Sequence, residues 1–256
     1  MSSLSEKVER CVLASAWIKP ESQVEDTPEF YKIVNSVVPY DFLNGIYRTH
    51  LRGQDAESKV AQMYASYRDR KIDFRWYIYP HSEPANLAQF LTGIKPSSIT
   101  PLQGLYIEEK DFLTEMPIDV TVEEMGAHNL DEYAQACNAG WGQTGAKAQQ
   151  IHAEIRRDFE TGLNYRAFLA RYRGRPGATA ISRVVGGAGY LQGGSCDPLL
   201  RGKGLYRALV AYRLSELRKQ GIALALISAR ADTSAPICLK LGFRTAFESQ
   251  CFNFLF

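Results

Sequence analysis

The order of β-rich and helix-patterned runs predicts an α/β protein built from two similarly organised halves. Three observations carry this. The run 201–219 places Leu205, Leu209, Val210, Leu214 and Leu217 on one stripe, and after Gly221 the wholly apolar run 223–228 reads as a buried strand. Residues 30–112 and 178–256 then share one order of elements, namely hairpin, long helix, buried strand, short helix and strand, a repeat of organisation rather than of residues. The 256 residues, at ~150 per domain, make one and a half to two domains.

Along the chain, residues 4–17 carry Val8, Cys11, Val12 and Trp17 at helical spacing and stop before Pro20, which disfavours a helical residue ahead of it. The β-rich runs 30–38 and 42–51 flank Pro39-Tyr40-Asp41 and read as a hairpin. Val60, Met63, Tyr64 and Tyr67 give the run 55–71 one apolar helical face; a strand over 74–79, a short helix over 84–91 and a strand over 102–108 follow. Ile118, Val120 and Val122 alternate as in a strand with one apolar face. Asn129-Leu130-Asp131 can cap a helix to about Cys137, and a second helix covers 147–159. Between them Gly140 to Gly145 reads as a loop of turn formers around Trp141. Strands over 165–172 and 178–185 join across Arg173-Gly174-Arg175-Pro176-Gly177, and a strand over 188–196 precedes the helix 201–219. A helix over 234–241 and β-type residues over 244–254 close the chain.

Composition bounds the partners. Thirty Lys and Arg against 28 Asp and Glu give a net charge of +2, and no five like charges adjoin, so no nucleic-acid or membrane partner is expected. With 45% hydrophobic residues the chain has ample core, and disorder is excluded. Cys11, Cys137, Cys196, Cys238 and Cys251 are odd in number and widely spaced, which predicts reduced thiols and a cytoplasmic protein. The apolar stretch 11–18 is too short for a signal peptide or a membrane span. His50, His81, His128 and His152 form no metal-binding spacing, so no metal is expected.

The chemistry points to one segment, Ser195-Cys196-Asp197-Pro198-Leu199-Leu200-Arg201-Gly202-Lys203-Gly204-Leu205-Tyr206. A strand stops at a proline and a helix begins whose first turn is expected to hold Gly202 and Gly204. First-turn N–H groups lack intrahelical partners and sit at the positive end of the dipole, so they can cradle a phosphate. A P-loop is excluded because Lys203 is followed by Gly204 rather than a hydroxyl residue. A dinucleotide fingerprint is excluded because its third glycine position is Arg207.

What fits is R-x-x-G-x-[GA] behind a strand ending in proline. In Arg201-Gly202-Lys203-Gly204-Leu205 the sequence resembles the acyl-CoA signature of the GCN5-related N-acetyltransferase (GNAT) superfamily, with Tyr206 where that family usually has Gly or Ala. The run 223–228 is similar to the family's fifth strand, and Ser234 to Phe243 to its closing helix with a K-x-G-F ending. The resemblance covers about 118–256 and implies a mixed central sheet of GNAT type, in two GNAT-like halves in tandem: a degenerate half, 1–112, and an acyl-CoA-binding catalytic half, 113–256. In the first half Arg52-Gly53-Gln54-Asp55 stands where the loop should be, and Asp55 would repel a pyrophosphate.

The resemblance further implies acetyl-CoA as co-substrate, held by Ser195, Cys196, Arg201, Gly202, Lys203, Gly204, Leu205, Tyr206 and Ser234, with the fourth strand splayed so that Ser195 and Cys196 meet pantetheine. The Cys196 N–H is the expected oxyanion donor. Cys238 occupies the position of the family's acidic Tyr and reads either as a weak acid or as a core thiol. Asp197 or, through water, Glu123 or its neighbour Glu124 is the candidate base, although Asp before Pro is commonly a turn former. Trp141 and Tyr190 are the candidate acceptor contacts. The expected function is transfer of acetyl to the primary amine of a small molecule; a protein acceptor and a non-catalytic acyl-CoA-sensing module are the alternatives.

Overall fold

The computed structural model describes residues 3–38 and 40–256; Pro39, expected in the hairpin turn, lies outside the described residues. In chain order the elements are α1 (Leu4–Ala14), β1 (Gln23–Asp26), β2 (Phe30–Val34), β3 (Gly45–Thr49), α2 (Ala56–Arg68), β4 (Phe74–Ile78), α3 (Leu87–Gly93), β5 (Ser98–Glu108) and β6 (Val120–Glu124). Then come α4 (Leu130–Trp141), α5 (Gly145–Thr161), β7 (Arg166–Tyr172), β8 (Arg175–Val185), β9 (Ala188–Cys196), α6 (Leu205–Lys219), β10 (Leu224–Arg230), α7 (Ser234–Lys240) and β11 (Arg244–Phe254). The chain forms two compact units. Unit 1 is Met1–Leu105 with Ser228–Pro236 and Thr245–Phe256; unit 2 is Tyr106–Ile227 with Ile237–Arg244.

Unit 1 carries the strand order β1-β2-β3-β4-β11-β5. The expected hairpin is present, with Phe30 opposite Thr49, and β3 runs parallel to β4. Val60, Met63 and Tyr67 recur at helical spacing on α2 and are buried over the sheet. Tyr67 stacks on Phe74 at 4.1 Å, and Phe74 on Phe254 at 4.8 Å. The register pairs Phe74 with Phe254 and Trp76 with Phe252, so aromatic residues two apart on each strand meet on one face. The Tyr67 hydroxyl donates to Ile33 O at 2.7 Å and the Trp76 indole N–H to Thr49 Oγ1 at 2.9 Å, which satisfies polar atoms that this packing buries.

Unit 2 carries the order β10-β9-β8-β7-β6, antiparallel except for the parallel β9–β10 pair. The expected stripe of α6 is buried throughout and packs with Phe168, Ala178 and Ala180 of the neighbouring strands. Three expectations are corrected. Ile118 is fully exposed and precedes β6, whose buried residue is Val120. Gly140 and Trp141 belong to α4, which ends at the left-handed Gly142 (φ +66°), as a C′ glycine ends a helix. Gly202 (φ +76°) and Gly204 (φ +83°) lie before α6 instead of inside its first turn, because a left-handed residue cannot continue a right-handed helix. The strand β1 was not anticipated; its four residues are all exposed and carry no apolar alternation.

Phe74→Ala removes the ring that both Tyr67 and Phe254 stack on, and is expected to lower stability by about 3–5 kcal/mol. Urea unfolding of a variant with unchanged circular dichroism checks this.

Candidate active site

The site of unit 2 is organised by an irregularity in β9. Thr179 pairs with Ser195 and Ile181 with Gln192, so β9 uses one residue more than β8 between the two pairs. The extra residue lies at Gly193 (φ +63°) and Gly194, a bulge. Past it, the Asp197 N–H donates to Gly177 O on β8 at 2.7 Å. Because successive residues of a strand address opposite edges, the Cys196 N–H faces away from β8. On that edge β10 pairs only Ala225 with Gly189 and Leu226 with Tyr190, so β10 gives the end of β9 no ladder partner.

After β9 the chain makes one tight turn, Pro198–Leu200, capped by Asp197 Oδ1, which accepts the Leu199 N–H at 2.9 Å. Gly202 and Gly204 then use their freedom at positive φ to reverse the chain into α6. A Cβ at Gly202 would meet nothing, whereas one at Gly204 would come within 3.0 Å of Pro117 Cγ. The Ala208 N–H bonds to Gly204 O, which leaves the N–H groups of Leu205, Tyr206 and Arg207 without an intrahelical acceptor. Leu205 contributes only that N–H, since its side chain is buried. Arg201 and Lys203 are exposed beside it, and Lys203 Nζ lies 5.9 Å from the Tyr172 ring centre. Free N–H groups at the positive end of a helix, flanked by two exposed cations, fit the pyrophosphate of an acyl-CoA.

The expected catalytic groups are placed as follows. Cys196 is half-buried, and burial pushes its thiol up. Ser195 Oγ is buried 3.1 Å from Thr179 Oγ1. Cys238 is fully buried on α7, its Sγ 3.6 Å from the Tyr206 hydroxyl, and burial raises it too. Asp197 is occupied as a turn cap, with Arg175 at 3.4 Å from Oδ2. Glu123 is bound by Arg171 at 2.8 Å, and this guanidinium holds its carboxyl below the ordinary glutamate value; Arg171 also holds Glu132. Its neighbour Glu124 is held by Arg166 at 2.6 Å. Trp141 is 52% exposed at the end of α4, so it does not staple a loop to the core. Tyr190 is buried at the last β9–β10 pair. Ser234 Oγ, in unit 1, accepts the Arg230 N–H at 2.9 Å.

Sequence reasoning missed three residues. Arg213 is fully buried on α6 and donates from Nη1 to Ile181 O at 2.9 Å and Gln192 O at 3.5 Å, the pair that precedes the bulge. Its signal was available, since a cation four residues after Leu209 stands on the apolar stripe. Gly140 of α4 lies against the strand end, where a Cβ would come 2.5 Å from Ser195 Oγ and 3.0 Å from the Cys196 nitrogen. Gly194 lies under the Tyr206 ring, 2.7 Å from a built Cβ. A cavity of about 380 Å³ in unit 1, lined by residues including Tyr79, Gln103 and Ser249, holds none of these groups.

No protein-family model matches the chain. Over 87 residues, 33% of this chain and 59% of the relative, it is 36% identical to the [ribosomal protein bS18]-alanine N-acetyltransferase of Escherichia coli K12. The chain thus matches less than two thirds of that relative's length. Among solved structures it is similar to a GCN5-related N-acetyltransferase from Kribbella flavida, with TM-score 0.69 and 18% identity over 99% of this chain and 96% of the other. It is also similar to a tandem GNAT protein from the clavulanic acid biosynthesis pathway, with TM-score 0.59 and 14% identity over 96% and 86% of the two chains. The chain thus shares the fold of GNAT proteins, one of them a tandem GNAT protein.

Proposed function

We propose that the chain is an N-acetyltransferase that moves acetyl from acetyl-CoA to a primary amine, most simply that of a small molecule. The observation that carries this is the occurrence, within unit 2, of a cradle of first-turn N–H groups without intrahelical acceptors at Leu205 to Arg207 and a strand edge that β10 leaves unpaired, ending at the Cys196 N–H. Acetyl-CoA supplies an activated thioester. The chain's own part is to hold the phosphates with first-turn N–H groups, Arg201 and Lys203, and to aim the Cys196 N–H where a carbonyl oxygen gains charge. Cys238 is read as a core thiol, because burial raises it and a thiolate leaves without help. Glu123, held low by Arg171, is a weak base, so the reaction draws on the neutral fraction of the amine. Trp141, exposed at the end of α4, is the proposed acceptor contact. Residues 1–112 form the half proposed to bind no cofactor: Arg52 there is engaged by Glu83 at 2.6 Å, and Asp55 stands at the start of α2.

A protein acceptor is the second reading, favoured by the ribosomal-protein N-acetyltransferase to which the chain is 36% identical over 87 residues. Incubation with acetyl-CoA and a panel of small amines plus a peptide beginning with alanine, read by free thiol and product mass, separates the two. Acetyl-CoA binding without turnover on any member would instead support a sensing module.

Calorimetry is expected to find one acetyl-CoA site per chain. Lys203→Glu, which reverses an exposed charge at a backbone free of positive φ, should weaken it by 1.5–3 kcal/mol, about tenfold or more. Two equivalent sites would overturn the assignment of 1–112.

Cys238→Ala is expected to lower stability by about 1 kcal/mol with little change in kcat. A loss of about a hundredfold in kcat, in a stable variant with unchanged acetyl-CoA affinity, would make the thiol the general acid.

The Arg171 pair gives a pH signature. Because the folded pKa of Glu123 lies below the ordinary value of 4.5, its stabilisation is present above that value and is lost as pH falls through the lowered pKa. The Tm difference between the wild type and Glu123→Gln should therefore be largest near neutral pH and shrink steadily in acid.

A further inference from the structure

Tyr206 spans from the β9 bulge to α7, beside the strand edge that β10 leaves without a ladder partner. The Gly202–Gly204 turn lies two residues before it, and the Cys196 N–H lies two residues beyond Gly194. An acyl-CoA held at that turn would carry its acyl end toward this strand edge, where the ring takes up space. The ring rests on the β9 bulge so closely that Gly194 has no room for a methyl group, with 2.7 Å from a built Cβ to Tyr206 Cε2. Its hydroxyl reaches α7, 3.6 Å from Cys238 Sγ, and so closes the gap from strand to helix. Arg213, beneath the bulge, has no hydrogen-bond partner for Nη2 among the described residues. The charged and titratable neighbours of the hydroxyl are Cys238 and Arg213, and burial dominates by raising it far above the ordinary tyrosine value. A phenol so raised keeps its proton and is a poor donor to a thiolate near pKa 8.5. The effect of the ring is therefore steric.

We propose that Tyr206 is the specificity-determining residue of this site, seated in a closed position that admits the nucleotide end of an acyl-CoA and bars its pantetheine and acyl end until the ring leaves the space between Gly194 and Cys238. The inference rests on the acyl-CoA reading of the loop. An opening equilibrium of this kind weakens apparent affinity by the fraction of molecules that are open, so a site open a tenth of the time binds about tenfold more weakly.

The test is calorimetry of the whole chain, wild type against Tyr206→Ala and Tyr206→Phe, with acetyl-CoA and separately with the phosphorylated ADP that forms the nucleotide end of CoA. The expected result is that Ala tightens acetyl-CoA about tenfold or more while leaving the nucleotide unchanged, and that Phe, which keeps the ring, binds both ligands as the wild type does. Unchanged or weaker acetyl-CoA binding by Ala, with the nucleotide still bound, overturns the inference and leaves the proposed function standing. Equal tightening of both ligands also overturns it, because that would place the effect at the phosphate loop. If the wild type and Ala bind neither ligand, the acyl-CoA reading itself fails. Should Tyr206→Ala not melt cooperatively, Tyr206→Leu, which keeps buried bulk but not the reach to Cys238, takes its place with the same expected outcomes.

Discussion

One extra residue in β9 sets the geometry on which the chemistry of unit 2 depends. Without the bulge at Gly193 and Gly194, every residue beyond it would address the opposite edge of the strand, and the Cys196 N–H would be spent on β8. The bulge also strands backbone groups that a regular ladder would satisfy. Arg213 answers this by donating to Ile181 O and Gln192 O from beneath the sheet. Its Nε donates to Leu209 O at 2.9 Å, so the guanidinium fixes α6 and the irregular strand to each other. The cost is a buried cation whose titratable neighbours are Tyr206, Cys238 and Tyr133, none of them a carboxylate. Burial accordingly pushes the guanidinium down from the ordinary arginine value. Keeping such a group is reasonable only where the position of the strand matters more than the stability of the core.

Much of this architecture was legible because period and burial coincide. The α6 stripe, the apolar run that became β10, the Phe30–Thr49 hairpin and the Val60, Met63, Tyr67 face of α2 all follow from which residues must leave water. The start of the phosphate loop was legible for a different reason, since Pro198 and two glycines are backbone constraints that any fold must respect. Three things were not legible. Gly202 and Gly204 do not declare the start of α6, because a glycine at a helix N-terminus and one just before it look alike until φ is known. The partner of β11 could not be inferred, because its pairing with β4 joins residues distant in sequence whose aromatic match is visible only once they are adjacent. The bulge itself leaves no mark beyond two glycines, which are equally at home in a turn.

The candidate carboxylates show how residue type can mislead. Asp197 and Glu123 were attractive because acyl transfer to an amine wants a base, yet each is consumed locally: Asp197 by the Leu199 N–H and Arg175, Glu123 by Arg171 and, at 3.4 Å, His128. The Arg171 contact that positions Glu123 also lowers its proton affinity, so what makes it a good structural element makes it a poorer base.

The two departures of this chain from the GNAT pattern are the two ends of a single contact. The resemblance implies a small residue at 206 and a tyrosine at 238; here the tyrosine stands at 206 and the small residue at 238, with 3.6 Å between Oη and Sγ. Exchanging bulk across a contact conserves the volume of the packed space, with Cys238 fully buried and Tyr206 partly so. The exchange is not neutral in direction, however. A phenol at 238 would be rooted on α7, whereas the one at 206 is rooted at the start of α6 and lays its ring on Gly194 of the β9 bulge. The same volume filled from the other helix thus roots the bulk beside the phosphate turn and rests it on the bulge that frees the end of β9.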